Sequence, residues 1–450
     1  GGTEDIFDGE SNFSVSMWLK GWPSENGQSL ISKNTFDPGS FGEIKAWLDA
    51  MDPKSFSKDD SGHSPANGEG FVKWYDLSGN QHHASIDAGS PTWDAMGINN
   101  KPAANLSTSS LSLENSAEAF DAWSQLHVFA VFKVTANTTW KRVFGKSSNP
   151  STAASTAWTY FIRRGDHNPP IFAAHFRNNS DSAFMRPSGN SNTASLKNNP
   201  GLFVMSWDGA NLINRIDGSL NDTVAATGTI GTLSSEPIKI GQSYGLYFSE
   251  LLIFQDKLSD ADQLKLEGYL SHKWALSADL PSGHTYKTSA PNFGGWAIKR
   301  ASSGGGVIAL EMEGAGGEFS TLAPINDGEW HNLTTTFGGG SKKIYLDGNL
   351  LASDAQSGSV TASSFPLLIG DSFKSSGTEP KIDDVRFYRK ILSPLEVASI
   401  YNKGAGDVGQ PKFAITFPDT LYASVGRSIF YQITADTAYG MTGYNSTITY

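Results

Sequence analysis

Phe13-Ser14-Val15-Ser16-Met17-Trp18-Leu19-Lys20, followed by Leu30-Ile31-Ser32-Lys33, is the stretch whose reading decides the fold. Phe13, Val15 and Met17 alternate with Ser14, Ser16 and Trp18, the two-residue period of a strand. A second copy runs His127-Val128-Phe129-Ala130-Val131-Phe132-Lys133, then Val143-Phe144-Gly145-Lys146. Repetition of this kind fixes the architecture before single elements do. After Lys146 the chain needs 13 residues to reach Tyr160-Phe161-Ile162-Arg163-Arg164; after Lys33 it takes 262 to reach the equivalent Trp296-Ala297-Ile298-Lys299-Arg300. The economical reading puts a whole copy, residues 36–291, inside a hairpin loop of the other, which is then made of residues 1–35 and 292–408. Loop tips accept such guests when the guest's ends lie close together. The added closure entropy is only about (3/2)RT ln n. The alternative is two tandem domains with a chance match at residues 13–34, and the register of the downstream halves argues against it.

The chain has 450 residues, too many for one core and suited to two to four domains. With 34 basic and 45 acidic residues the net charge is −11, which repels nucleic acid and anionic membrane surfaces. Neither is an expected partner, and no apolar run is long enough for membrane insertion. Acidic groups in loops do suit divalent cations. With no cysteine there is no disulfide and no thiolate chemistry, and in a large extracellular protein this points to a bacterial source. The start at Gly1-Gly2-Thr3 and the end at Ile448-Thr449-Tyr450, in mid-strand by pattern, suggest a monomeric segment cut from a longer chain.

Taken in order, 47 glycines and 20 prolines punctuate short strands. Between residues 36 and 291 strands are expected at Ala46–Pro53, where the strand runs into a turn, and at 126–134, 140–146, 158–164, 171–177, Leu202–Trp207, Asn211–Asp217, Pro237–Gly241 and Glu250–Phe254. Ser259 caps a helix whose Leu266, Leu270 and Trp274 share one face. The second half repeats the order: Trp330–Phe337, Ile344–Leu346 turning at Asp347-Gly348 as Asp217-Gly218 does, Leu367–Gly370, Ile382–Tyr388, and a capping box at Ser393-Pro394-Leu395-Glu396. A glycine-bearing linker, residues 403–412, leads to a different alternating pattern from Phe413 onward.

Trp330-His-Asn-Leu with Tyr345-Leu-Asp-Gly, Ile369-Gly and Asp384-Val-Arg-Phe-Tyr-Arg-Lys-Ile-Leu-Ser-Pro resembles the laminin-G-like, concanavalin-A-like jelly roll of bacterial secreted proteins. Residues 36–291 are similar to the same superfamily through Trp47-Leu-Asp-Ala-Met-Asp, Trp74-Tyr-Asp-Leu-Ser-Gly-Asn-Gln-His-His-Ala and Glu267-Gly-Tyr-Leu-Ser-His-Lys-Trp-Ala-Leu. Residues 413–450 resemble the start of a bacterial immunoglobulin-like module. The resemblance implies an all-β chain: two antiparallel β-sandwich jelly rolls, the second in a loop of the first, plus that partial module. It also implies calcium and the binding of glycans or cell-surface proteins outside the cell. In residues 1–35 and 292–408 the counterpart of Asp76-Leu-Ser-Gly-Asn is missing, which puts any site built on that loop in doubt.

Asp76, Ser78 and Asn80 offer oxygens at alternate positions of a tight turn, and calcium wants roughly six to eight hard oxygens. Glu250 can approach this turn if first and last strands pair, and Asp49 and Asp52 can add to it. The bland reading is an Asx-turn that satisfies its own backbone. Of Asp383-Asp384, neighbours facing opposite sides of a strand, only one, Asp384, serves an ion. For a sugar, Trp22, Trp93, Trp140 and Trp158 fall near loops, whereas Trp18, Trp207, Trp296 and Trp330 fall on apolar strands as core. Arg142, Arg163 and Arg164 sit on adjacent strands and suit the carboxylate of an acidic sugar. His82-His83 lacks a third ligand for zinc, His331 reads as a core or strand-edge histidine, and Arg164-Gly165-Asp166 falls at a hairpin tip.

Catalysis finds little support. Jelly-roll glycosidases need paired carboxylates, and Glu311-Met312-Glu313 has no supporting partner at suitable spacing. Two functions follow as expectations: a calcium-assisted, glycan-binding segment of a large bacterial surface adhesin, or non-catalytic accessory domains of a secreted polysaccharide-degrading enzyme. A structural spacer without ligand is the third.

Overall fold

The computed structural model describes residues 7, 9–21, 23, 29–34, 36, 38–51, 53–59, 61–135, 141–147, 156–163, 171–177, 198–225, 227–242, 244–291, 293–301, 307–363, 367–370 and 380–402, with the backbone of 413–415, 428–433 and 444–449. Its strands are β1 Phe13–Lys20, β2 Ser29–Ser32, β3 Ile44–Asp49, β4 Phe56–Ser57, β5 Lys73–Trp74, β6 Ala84–Ala88, β7 Thr92–Ile98, β8 Lys101–Asn105, β9 Ser110–Leu113 and β10 Leu126–Val134. Then come β11 Lys141–Ser147, β12 Thr156–Arg163, β13 Ile171–Phe176, β14 Pro200–Trp207, β15 Asn211–Ile216, β16 Ser219–Ala225, β17 Lys239–Ile240 and β18 Leu246–Phe254. The remainder are β19 Trp296–Arg300, β20 Val307–Met312, β21 Gly317–Leu322, β22 Trp330–Gly338, β23 Ser341–Leu346, β24 Asn349–Ala355, β25 Leu368–Ile369, β26 Lys381–Tyr388, β27 Phe413–Ile415, β28 Ser428–Ile433 and β29 Tyr444–Thr449. Among the described residues three α-helices, α1 Ser116–Ala119, α2 Asp260–Lys273 and α3 Pro394–Tyr401, are all short. None of the described helices is long and apolar enough to cross a membrane.

The chain divides into two compact units, residues 1–37 with 292–450, and residues 38–291. In the first unit β1 is a central strand. It pairs antiparallel with β22 (Val15↔Thr335) on one side and β26 (Val15↔Phe387) on the other, in a six-stranded sheet ordered β24-β23-β22-β1-β26-β27. β2 is equally interior, between β19 and β25, in a five-stranded sheet ordered β21-β20-β19-β2-β25. The alternate residues Phe13, Val15, Met17 and Leu19 pack with Trp296, Ile298, Leu310, Leu333 and Val385 between the sheets. Phe7 stacks on Phe13 at 4.2 Å between centroids. Burying such side chains contributes about 1.5–3 kcal/mol each, so residues 7–32 supply core that the rest of this unit cannot replace.

The second unit repeats the order. One sheet runs β16-β15-β14-β10-β18-β8-β7, with β3 also on β18; the other runs β13-β12-β11-β17-β9-β6-β5-β4. β10 takes the place of β1 and β18 that of β26, and each of these pairs carries a bulge. Asp217-Gly218 and Asp347-Gly348 both turn with positive φ at both residues (49° and 74°, 51° and 78°), the primed two-residue turn that favours Asp-Gly. Both aspartates also accept a backbone N–H from the neighbouring strand, Leu202 at 2.8 Å and Asn332 at 2.9 Å. The core stacks Phe132 on Phe203 (3.9 Å) and Phe144 on Tyr160 (5.3 Å).

The helix caps form as expected: Ser259 Oγ accepts from Asp262 N, and Ser393 and Glu396 make a reciprocal capping box with Pro394 at the first turn. The described residues are thus mostly β, in antiparallel sheets consistent with jelly-roll sandwiches. Two details differ from expectation. Trp330, placed in the core by its strand pattern, is 41% exposed, because it begins β22 opposite Lys20, where the sheet ends. Phe413–Ile415, read as the start of a separate module, runs antiparallel beside β26. Beyond it β28 and β29 pair with each other, and most of the segment read as immunoglobulin-like lies outside the described residues.

Residues 38–291 expressed alone are expected to melt in one cooperative transition by circular dichroism. Residues 292–402 without 1–37 are expected to stay unfolded, having lost the interior strand of both sheets. Cooperative folding of that shorter piece would contradict the pairing described.

Candidate functional site

Cα partners across the second unit's eight strands form one continuous row: Ser57↔Lys73↔Ser85↔Ser112↔Lys239↔Gly145↔Thr159↔His175. The adjoining row is apolar: Ile86↔Leu111↔Ile240↔Phe144↔Tyr160↔Ala174. Side chains alternate faces along a strand, so one face packs the core and the other carries hydroxyls and amines, of which Ser57 and Thr159 are buried and Lys73, Ser85, Ser112 and Lys239 half-buried. Gly145 has φ +132°, and a Cβ there would sit 2.5 Å from Thr159 Cα, so the row passes this point only with glycine. On the polar face Lys239 Nζ reaches Asp87 at 3.0 Å, and Ser110 Oγ donates to the other Asp87 oxygen at 2.8 Å. Burial alone would raise the Asp87 pKa; Ser110 and Lys239 outweigh it and hold it below the usual carboxylate value. Lys73 pairs with Glu114 at 3.0 Å, beside Ser85.

Arg142 joins this face through a bulge. It pairs with Phe161, the register shifts before Phe144, and Phe161 has the parity of Thr159. Its backbone N–H donates to Gln242 Oε1 at 2.9 Å and its Nη1 to Ser147 O, yet its Nε has no partner. The residue is only 4% exposed, and no carboxylate among the described residues lies within ion-pair distance. Burial lowers its pKa. Asp87, Glu236 and Tyr244 act on it electrostatically. The Tyr244 hydroxyl is also buried without a hydrogen-bond partner, and burial raises its pKa well above the ordinary value.

The expected calcium ligands have other partners. Asp49 and Glu250 are Cα partners on β3 and β18, so first and last strands do pair. Between them lies an ammonium: Lys273 Nζ is 2.7 Å from Asp49 Oδ2 and 2.7 Å from Glu250 Oε2. Two indoles donate to Glu250 as well, Trp274 at 2.6 Å and Trp47 at 3.0 Å. Burial pushes the Glu250 carboxyl up to about 7 against the pull of Lys273. Burial would lower the Lys273 pKa, but Asp49 and Glu250 outweigh it and raise it. Asp76 accepts from Trp47 N, Ser78 N, Ser78 Oγ and His82 N, all within 3.0 Å, the self-satisfied turn rather than an open cage. Asn80 donates to Ile44 O and Ser78 Oγ.

Asp384 is in the other unit and forms a fork with Arg386 at 2.8 and 2.6 Å. Asp52 lies outside the described residues. Among the described residues no group of three or more acidic, histidine or cysteine side chains is disposed to hold a metal. As arranged, these donors do not fit calcium, which wants roughly six to eight oxygens: a lysine already occupies the centre of negative charge.

Of the expected sugar contacts, Trp158 is fully buried with its indole N–H unpartnered, and Trp93 is buried and donates to Ala50 O. Neither offers a stacking face. Trp22, Trp140 and Arg164, with the Arg164-Gly165-Asp166 tripeptide, lie outside the described residues; Arg163 ends β12, and only its backbone is described. His82 and His83 are engaged separately, with Glu114 O and with Asp76 N. In the first unit Glu311 faces Glu318 across two strands, and Lys299 Nζ holds both, at 2.7 and 3.0 Å.

His331 has both ring nitrogens against carboxylates, Asp347 at 2.7 Å and Asp327 at 3.0 Å, so both carry protons. Burial opposes its charge, the two carboxylates outweigh it, and its pKa is raised. Lys273, Lys239 and Tyr244 were missed by sequence reasoning. Lys273 did leave a signal: it shares the helical face of Leu266, Leu270 and Trp274, where a lysine requires a buried acid.

Residues 274–398 match a laminin-G-type family model described as the concanavalin A-like lectin/glucanases superfamily. No curated protein sequence matches the chain. Solved structures with a similar arrangement include domain 4 of the extracellular arabinanase AbnA from Geobacillus stearothermophilus, in complex with arabinotriose (14% identity, 49% of this chain and 95% of that one, TM-score 0.34). Others are the binding domain of Paraclostridial Mosquitocidal Protein 1 (9%, 76% and 97%, 0.37) and the receptor-binding domain of botulinum neurotoxin D (11%, 76% and 97%, 0.36). At such scores the likenesses carry no argument about this chain's ligand.

Two outcomes follow. Thermal melts are expected to coincide in calcium and in chelator, while Lys273→Met costs about 3–5 kcal/mol by stranding buried carboxylates; a chelator-induced drop would restore the metal. For His331, a raised folded pKa stabilises fully below the unfolded value of about 6.5 and is lost as pH rises through the folded one. The stability gap between the native chain and His331→Asn, measured by denaturant titration, should therefore shrink as pH rises; a gap that grows would contradict the doubly protonated ring.

Proposed function

We propose that this chain is a glycan-binding segment of an extracellular bacterial surface protein, with the polar face of the β13-β12-β11-β17-β9-β6-β5-β4 sheet as its sugar-contacting surface. The observation that carries the reading is the polar row itself, four half-buried hydroxyl or amine side chains, Lys73, Ser85, Ser112 and Lys239, with Asp87 and Glu114 beside them. A sugar presents hydroxyls that both donate and accept, and a shallow face of mixed donors and acceptors answers that pattern along an extended chain. Apolar small molecules, by contrast, need concave apolar walls. The match of residues 274–398, most of them in the first unit, to a superfamily of lectins and glucanases favours a glycan as the chain's ligand without bearing on which unit holds it.

In this reading the second unit is a jelly roll inserted in the β2-to-β19 hairpin of the first, and projects its face from a longer adhesin. The acidic, cysteine-free composition supports that setting. No catalytic role is proposed, because the paired carboxylates Glu311 and Glu318 are both tied to Lys299. Accessory domains of a polysaccharide-degrading enzyme would use the same face; the full-length sequence separates the two settings. On a glycan array the whole chain is expected to retain polysaccharide equally in calcium and in chelator, and Lys239→Ala to weaken retention at least tenfold. Retention of no glycan in either condition would overturn the proposal.

A further inference from the structure

Two positions further along their strands than Lys73, Ser85 and Ser112, the same face of the sheet carries Tyr75, His83 and Glu114. Glu114 N donates to His83 O at 2.8 Å, which extends the β6–β9 pairing by one residue. Tyr75 meets the His83 ring edge-on, 5.3 Å between centroids at 85°. All three side chains are half-buried, and each keeps a polar atom unused. Lys73 Nζ and Ser85 Oγ both bind Glu114 Oε1, so Oε2 makes no hydrogen bond among the described residues. His83 Nδ1 accepts from Asp76 N at 3.0 Å, and a ring that accepts there is neutral with its proton on Nε2. Burial favours that form: it outweighs the pull of Glu114 and Asp76 and lowers the His83 pKa. Among the described residues His83 Nε2, Ser112 Oγ and the Tyr75 hydroxyl make no hydrogen bond, and none of these atoms is sealed from solvent.

Resting on the glycan reading above, we infer that this end of the face is a subsite for one neutral pyranose with a free vicinal diol. One sugar hydroxyl donates to Glu114 Oε2, and the neighbouring oxygen accepts from His83 Nε2–H. Ser112 and Tyr75 border the ring. A carboxylate only accepts and the open imidazole edge only donates, whereas a pair of sugar hydroxyls does both. Directly opposed residues on antiparallel strands have their Cβ atoms about 5 Å apart, so both groups fall within reach of adjacent hydroxyls. The hydrogen bond to the ionised carboxylate is the stronger of the two. An acidic sugar finds no counter-charge here. Lys73 is tied to Glu114 and Lys239 to Asp87, the free Glu114 oxygen repels an anion, and the chain carries a net charge of −11.

The test is calorimetry of the whole chain with soluble β-glucan, mannan and galactan, and with C6-carboxylated and O-methylated forms of each. At least one native polymer is expected to bind tenfold or more tighter than its carboxylated and methylated forms. Glu114→Gln puts a donor where the open acceptor stands. His83→Asn keeps an acceptor for Asp76 N and removes the Nε2–H. Each should weaken that polymer at least tenfold with the melting temperature unchanged, and Glu114→Gln should also narrow the discrimination against the carboxylated form. Native affinity in both variants, with Lys239→Ala still weakening binding, overturns the inference and leaves the glycan reading standing. Equal or tighter binding of the carboxylated form overturns the assignment to a neutral sugar. If none of these polymers binds the inference falls, and retention of no glycan on the array overturns both readings. If His83→Asn fails to fold, Glu114→Gln and Ser112→Ala decide the matter.

Discussion

Strand register is the constraint on which the rest depends. In the sheet that runs from β13 to β4, one residue of slip would carry Lys239 into the core and Ile240 to the surface. The stacked rings of Phe144 and Tyr160 and the buried Leu111 and Ile240 forbid it. Gly145 lets β12 approach closely at one point, and the neighbouring bulge lets one strand serve both faces. The polar row is thus a by-product of core packing, held in register by the buried Leu111, Phe144, Tyr160 and Ile240.

The second unit handles buried charge in two ways. At Lys273 the ammonium, two carboxylates and two indoles close on one another and join β3, β18 and α2. At Arg142 the guanidinium keeps an unused edge. A closed cluster fixes a fold, whereas a buried unpaired donor costs stability. Acidic residues near the first strand drew attention as cation ligands because sequence shows the acids and hides the base: Asp49 and Lys273 are 224 positions apart.

The fold was legible where periodicity and turn chemistry agree. The matched strands β1 and β10, the Asp-Gly turns, and the Ser259 and Ser393 caps are local signals, and each appears where its residues place it. Burial was less legible. Trp158 and Trp93 look like loop-edge platforms and are packed inside, while Trp330 looks like core and is exposed at a strand end. Burial depends on which strands end beside which, and a pattern along one strand carries no such information. Arg142 was marked as a ligand contact, and its place on this face follows from a bulge that alternation alone does not reveal.

The most direct test of this account is a crystal structure of residues 38–291 with an oligosaccharide bound. The account predicts the sugar along the row from Lys73 to Lys239, with Lys273 still between Asp49 and Glu250. An oligosaccharide bound elsewhere, or a metal ion in place of the Lys273 ammonium, would contradict it.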